Sequence, residues 1–140
     1  MRVVAIDPGE TTGIAVSNGG DLVLFDSIEG QMNAINTIRS NIATDVLVIE
    51  EFRISAGTAR KTRSGSNTAI EIIGAAKWLA YLQGVPWVQQ TPSDVMGFMT
   101  NEKLRRIGWY VPNEHARDAV RHLAYYLVKA GHIPAERLLA

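Results

Sequence analysis

The chain opens on a continuous apolar run, Val3-Val4-Ala5-Ile6, of the kind found in strands covered on both faces. Asp7 ends that run, Pro8-Gly9 turns the chain, and residues 11–17 are again β-prone. With Asn18-Gly19-Gly20 as a hairpin signal, residues 2–7, 11–17 and 21–27 predict three successive strands. The period then changes. Between Ile28 and Ile42 the apolar positions Met32, Ile35, Ile38 and Ile42 recur at three and four, which predicts an amphipathic helix. Residues 45–50, DVLVIE, form a second buried-type run, ending in Glu50.

Residues 52–66 carry Gly, Ser, Thr and basic side chains without apolar periodicity, and predict a loop. Asn67 or Thr68 caps a predicted helix that reaches about Gln83, where Gly84 stops it; residues 85–90 predict a fifth strand. Thr91-Pro92-Ser93 leads into a short helical stretch, followed by a basic helix near 100–107. The last predicted helix runs from about Asn113 to Ala130, with Ala116, Ala119, Val120, Leu123, Ala124, Leu127 and Val128 as its apolar stripe. The order βββαβαβα, with no repeat and no linker, predicts one α/β domain: a five-stranded mixed sheet flanked by helices.

Composition narrows the classes without choosing one. The chain has 140 residues, enough for one sizeable core, and 46% of them are hydrophobic. No apolar run is long enough to span a bilayer, and the N-terminus lacks a signal-peptide layout, so a cytoplasmic protein is expected. Absence of cysteine excludes disulfides and thiolate metal sites. Fourteen basic residues balance fourteen acidic ones, but the balance conceals a pattern. Arg53, Arg60, Lys61 and Arg63 fall in one stretch without an acid, and Lys103, Arg105 and Arg106 follow Glu102.

The acids stand at element ends. Asp7 and Glu50 both close apolar strands; if those strands are adjacent and parallel, both carboxylates emerge at one sheet edge, where open α/β folds place ligands. His115 and Asp118, three apart near the start of the last helix, lie on a flank of its apolar stripe. Convergence of these groups would suit a hard divalent cation. Taken singly, each has a plainer explanation: a turn-forming Asp, a solvated strand end, a half-buried His, or an Asp paired with Arg117 or Arg121.

Four segments, AIDPGETTGIAV, VLVIEEF, SNTAIEIIGAAKWLA and HARDAVRHLAYYL, together resemble the RuvC-type Holliday-junction resolvases, in particular the short versions found in bacteriophages. They span most of the chain in the right order. The resemblance implies an RNase H-like fold and a metal-dependent endonuclease that nicks branched DNA. It also implies two Mg²⁺ or Mn²⁺ ions, held by Asp7, Glu50 and Asp118. Many bacterial members carry an acid where this chain has His115; imidazole there is read as a ligand, with a role in orienting water or shuttling a proton as the alternative. Glu51 is a rival to Glu50, since alternation lets only one face the site, and the family register favours Glu50.

The same resemblance gives the remaining expectations. DNA is to be held by Arg53, Arg60, Lys61 and Arg63, and by Lys103, Arg105 and Arg106 on a second face. Phe52 is a candidate to stack on a base, against the alternative of packing under the loop. A homodimer is expected through the helix bearing Ile70, Ile73, Trp78 and Tyr81, allowing paired symmetric nicks. Three rivals remain. One is a general debranching nuclease, and another is a non-catalytic nucleic-acid-binding member of the same fold. The third is an actin-like phosphate-binding fold, for which the chain is too short.

Overall fold

The structure, a computed structural model, describes residues 1–52 and 64–139, the side chains of 64–66 excepted. Five strands form one mixed sheet: β1 (Arg2–Asp7), β2 (Thr11–Asn18), β3 (Asp21–Glu29), β4 (Val46–Glu50) and β5 (Trp87–Gln90), in the spatial order β3-β2-β1-β4-β5. β1 to β3 are an antiparallel meander; β4 and β5 run parallel to β1. The helices are α1 (Gln31–Asn41), α2 (Ser64–Gln83), α3 (Pro92–Phe98), α4 (Asn101–Arg106) and α5 (Glu114–Lys129), with a 3₁₀ turn at Ala135–Leu138.

The predicted five-stranded sheet flanked by helices is therefore observed, with shifts at the element ends. Ile28, read as the start of a helix, instead pairs with Thr12 in β3, and Gly30 at a φ of 87° breaks the chain before α1. The fifth strand begins at Trp87 rather than at residue 85. The predicted DNA contacts Arg53, Arg60, Lys61 and Arg63 lie outside the described residues.

Strand alternation sorts the core into two layers. Val4, Ile6, Ile14, Val16, Leu47 and Ile49 face one way, onto Ala34 and Ile38 of α1 and Ile72, Ile73, Ala76 and Ala80 of α2. Val3, Ala5, Ala15, Val46 and Val48 face the other, onto Ala116, Ala119, Val120, Leu123, Ala124 and Leu127 of α5. Small residues dominate where α5 crosses the sheet, so the helix lies close to the strands. At Gly13 the approach is too close for a side chain: a β-carbon would overlap the His115 carbonyl oxygen. Asn113 fixes the start of α5 by accepting a hydrogen bond from the Ala116 N–H at 3.0 Å.

Candidate active site

Period-2 alternation decides which way the strand-end acids point. Asp7 follows Val3 and Ala5 toward α5, and Glu50 follows Val46 and Val48 to that same face. Since β1 and β4 are neighbours, with Ile6 paired to Ile49, the next residues of the two strands are Asp7 and Glu50. Their carboxyls share a hydrogen bond. Glu51 has the opposite parity.

The turn that frees Asp7 is tied down locally. Thr12, buried at the start of β2, donates its hydroxyl to the Gly9 carbonyl at 3.3 Å, and the Gly9 N–H returns to the Thr12 hydroxyl oxygen at 3.4 Å. Asp-Pro-Gly thus ends one strand and starts the next without moving the carboxylate away from the sheet edge.

Electrostatics at this edge are those of acids packed too close to ionise together. Burial pushes the Asp7 carboxyl up to about 8, and the charge of Glu50, the hydrogen bond to Glu50 and the charge of Asp118 add to the effect; His122 opposes it. Burial also raises Glu50, as does Asp118, while the hydrogen bond donated by Asp7 pulls it down. The two carboxyls therefore resist losing both protons together.

Asp118 contributes its field rather than a direct bond to the pair. Its Oδ1 lies 3.8 Å from the Arg121 Nε, one turn along α5. Arg121 is itself buried, donating to the Met99 carbonyl at 2.5 Å and to the Asn101 Oδ1 at 2.6 Å, so it ties α5 to the start of α4. The side chain of His115 is exposed. Among the described residues, no three His, Asp or Glu side chains are drawn close enough together to form a ready-made metal cage.

Sequence reasoning missed His122. It is 2% exposed, on the flank of α5 that faces the acids, and its Nε2 lies 2.8 Å from the Glu50 Oε2. Gln90, paired with Glu50 across β4 and β5, donates its Nε2–H to the His122 carbonyl at 3.0 Å and lies 3.4 Å from the His122 Nδ1. Burial pulls the imidazole down to about 4, against the raising effects of Asp7 and Asp118. The signal was present in the sequence, since His122 is four residues after Asp118 and so on the same side of the helix.

The donor chemistry fits a hard divalent cation. Two carboxylates held in contact, sharing a proton under the field of a third, offer oxygen donors whose mutual repulsion a cation would relieve. Beside them a cleft of about 330 Å³ is lined by Glu50, Glu51, Phe52, Thr91, Pro92 and Ser93. Phe52 is half-buried and packs against the α1–α2 core layer while still lining this cleft.

The other predicted contacts divide. Lys103 donates to the Phe98 carbonyl at 2.9 Å and sits 4.2 Å over the Phe98 ring. Arg106 reaches the Leu138 carbonyl and Glu102, both at 2.6 Å. Arg105 is exposed and stacks 4.1 Å over Tyr110. On α2, Ile70, Trp78 and Tyr81 are exposed and Trp78 stacks on Tyr81, but Ile73 belongs to the core.

No family model matches the chain, and no curated protein matches it. Solved structures do. The chain is similar to Thermus thermophilus RuvC, described in complex with a Holliday junction substrate, with a TM-score of 0.67 at 16% identity, covering 94% of this chain and 97% of that one. The fold is that of RuvC. A fowlpox virus Holliday junction resolvase is also similar, with a TM-score of 0.61 at 13% identity over 95% of this chain and 100% of the other. The yeast mitochondrial Holliday junction resolvase gives a TM-score of 0.55 at 11% identity, over 86% and 74%. The RuvC-like, RNase H-like architecture expected from the four sequence segments is thus observed. No helix among the described residues is long and apolar enough to cross a membrane.

Proposed function

We propose that this chain is a metal-dependent endonuclease that nicks Holliday junctions or other branched DNA by phosphodiester hydrolysis. The observation that carries the reading is the contact between Asp7 and Glu50 on the α5 face of a RuvC-like sheet, with Asp118 acting on both. Asp7, Glu50 and Asp118 would hold Mg²⁺ or Mn²⁺, two ions in the expected arrangement, with His115 as the further candidate. Ions bound there would neutralise charge on the scissile phosphate and supply a nucleophilic water at neutral pH.

The chain's own residues do the positioning. β1 and β4 hold two carboxylates at one sheet edge, α5 brings the charge of Asp118 to bear on them, and Gly13 lets that helix come close. A nucleotide next to the scissile phosphate would rest on Phe52 and in the cleft beside Glu50. The basic residues that follow Glu50 in the chain would neutralise the flanking phosphates, together with Arg105; Lys103 and Arg106 also hold local structure. A homodimer through the exposed Ile70, Trp78 and Tyr81 would present two such sites to one junction.

The direct test is nicking of a synthetic four-way junction, a fork and a linear duplex by wild type and Asp7→Asn, with Mg²⁺ and with Mn²⁺. Paired metal-dependent nicks in the junction, lost in Asp7→Asn, support the resolvase reading. Equal cutting of all branched forms makes it a debranching nuclease. Tight junction binding without cleavage removes the catalytic reading.

A further inference from the structure

We propose that His122 is a positioning residue for Glu50: a neutral imidazole, its tautomer set by Gln90, that donates Nε2–H to Glu50 Oε2 and so fixes the rotamer in which Glu50 meets an ion. This rests on the metal-dependent reading above and adds to it a residue that the expected ligand set does not contain.

The tautomer follows from partners rather than from titration. The Gln90 amide is oriented by its bond to the His122 carbonyl, which places an N–H donor, not a carbonyl, toward Nδ1. Nδ1 must then be the unprotonated, accepting nitrogen, and the ring proton is on Nε2, 2.8 Å from a carboxylate oxygen that can only accept. One Glu50 oxygen is thereby engaged, while the carboxylate also accepts a hydrogen bond from Asp7.

Three elements build this relay. Glu50 and Gln90 are cross-strand partners at the ends of β4 and β5, and His122 reaches both from α5. Burial of Gln90 and His122, at 8% and 2% exposure, removes competing water. A ligating carboxylate is commonly held by an outer hydrogen bond of this kind, and its loss typically weakens metal binding about 10–100-fold.

The experiment uses the full chain and Mn²⁺ alone, with binding followed calorimetrically for wild type, Asp7→Asn, His122→Leu and His122→Gln. Glutamine carries an N–H donor the same number of bonds from Cβ as Nε2, whereas leucine fills the space without one. His122→Leu is expected to bind Mn²⁺ about 10–100-fold more weakly, and His122→Gln to recover most of the loss. In junction nicking, kcat should fall while KM for DNA stays constant. Independently of any variant, ¹⁵N shifts of the metal-free wild-type His122 ring should report Nε2–H with a bare Nδ1.

An Nδ1–H tautomer, wild-type Mn²⁺ affinity in His122→Leu, or equal loss in both variants would each overturn the proposal. Failure of the parent reading looks different: wild type and Asp7→Asn would then bind Mn²⁺ alike, or neither would bind it, and the proposal falls with it.

Discussion

Gly13 on β2 lies directly against the backbone of His115 on α5, so close that any side chain on Gly13 would occupy the space of the His115 carbonyl. Because Gly13 is also the cross-strand partner of Asp7, this close helix–sheet approach is one strand away from the first acid of the site. Adding a β-carbon forces α5 outward at the end that carries Asp118. Gly13→Ala is expected to lose about 2 kcal/mol or more of stability and to depress nicking further than stability alone explains. Gly97→Ala, exposed in α3 with open space at its Cβ, is expected to be neutral or stabilising by about 0.5–1 kcal/mol. Thermal melts of both variants, with nicking measured well below the melting temperature, check this pair.

The buried acid pair makes the metal-free protein less stable as pH rises. Asp7, raised to about 8, keeps a proton that the unfolded chain releases near 3.8, so folding is progressively penalised up to about pH 8. His122, lowered to about 4, works in the opposite sense below 6.5, where the unfolded chain protonates and the folded ring does not. Between pH 6.5 and 8 the opposing effect of His122 is gone, and stability should fall by about 1–2 kcal/mol. In chelator-treated samples, Asp7→Asn should flatten that fall and melt higher than wild type at pH 8. Parallel melting curves across this window would contradict the shared proton.

Glu50 and Glu51 are adjacent in sequence but opposite in parity. Glu50→Gln should reduce nicking at least about 100-fold; Glu51→Gln should leave it within about threefold, because Glu51 has the opposite parity to Glu50. A comparable loss in both variants would place the ion elsewhere.

On α2 the expected interface residues now separate into two kinds. Trp78 is 59% and Tyr81 68% exposed, whereas Ile73 belongs to the core. On the proposed homodimer, Trp78→Glu should shift sedimentation at micromolar concentration toward the monomer with little change in melting temperature. Ile73→Ala should do the reverse: association is retained, and stability drops by about 2–5 kcal/mol through the cavity it leaves.

Much of the site was legible because it is built on short-range patterning. Two apolar strands each end in an acid, and period 2 is a local property, so the face on which Asp7 and Glu50 stand follows from counting once the strands are paired. The apolar stripe of α5 was equally plain, with Val128 the one member that is only half-buried. The end of β3 was not legible. Ile28 suits a helix or a strand, and its pairing with Thr12 across the hairpin settled the matter.

His122 shows most clearly where local reading stops. A polar residue beside an apolar stripe reads as surface until the packing partner on that flank is known, and that partner, Gln90, comes from a strand more than thirty residues earlier. Sequence by itself determined the elements, their order and the acids at the strand ends, because these depend on periodicities of two and 3.6 residues. Only the tertiary structure decided that β5 lies beside β4, that α5 crosses at Gly13, and that an imidazole is thereby sealed against Glu50. Those outcomes depend on long-range packing, in which small residues on facing elements set how closely a helix can approach a sheet.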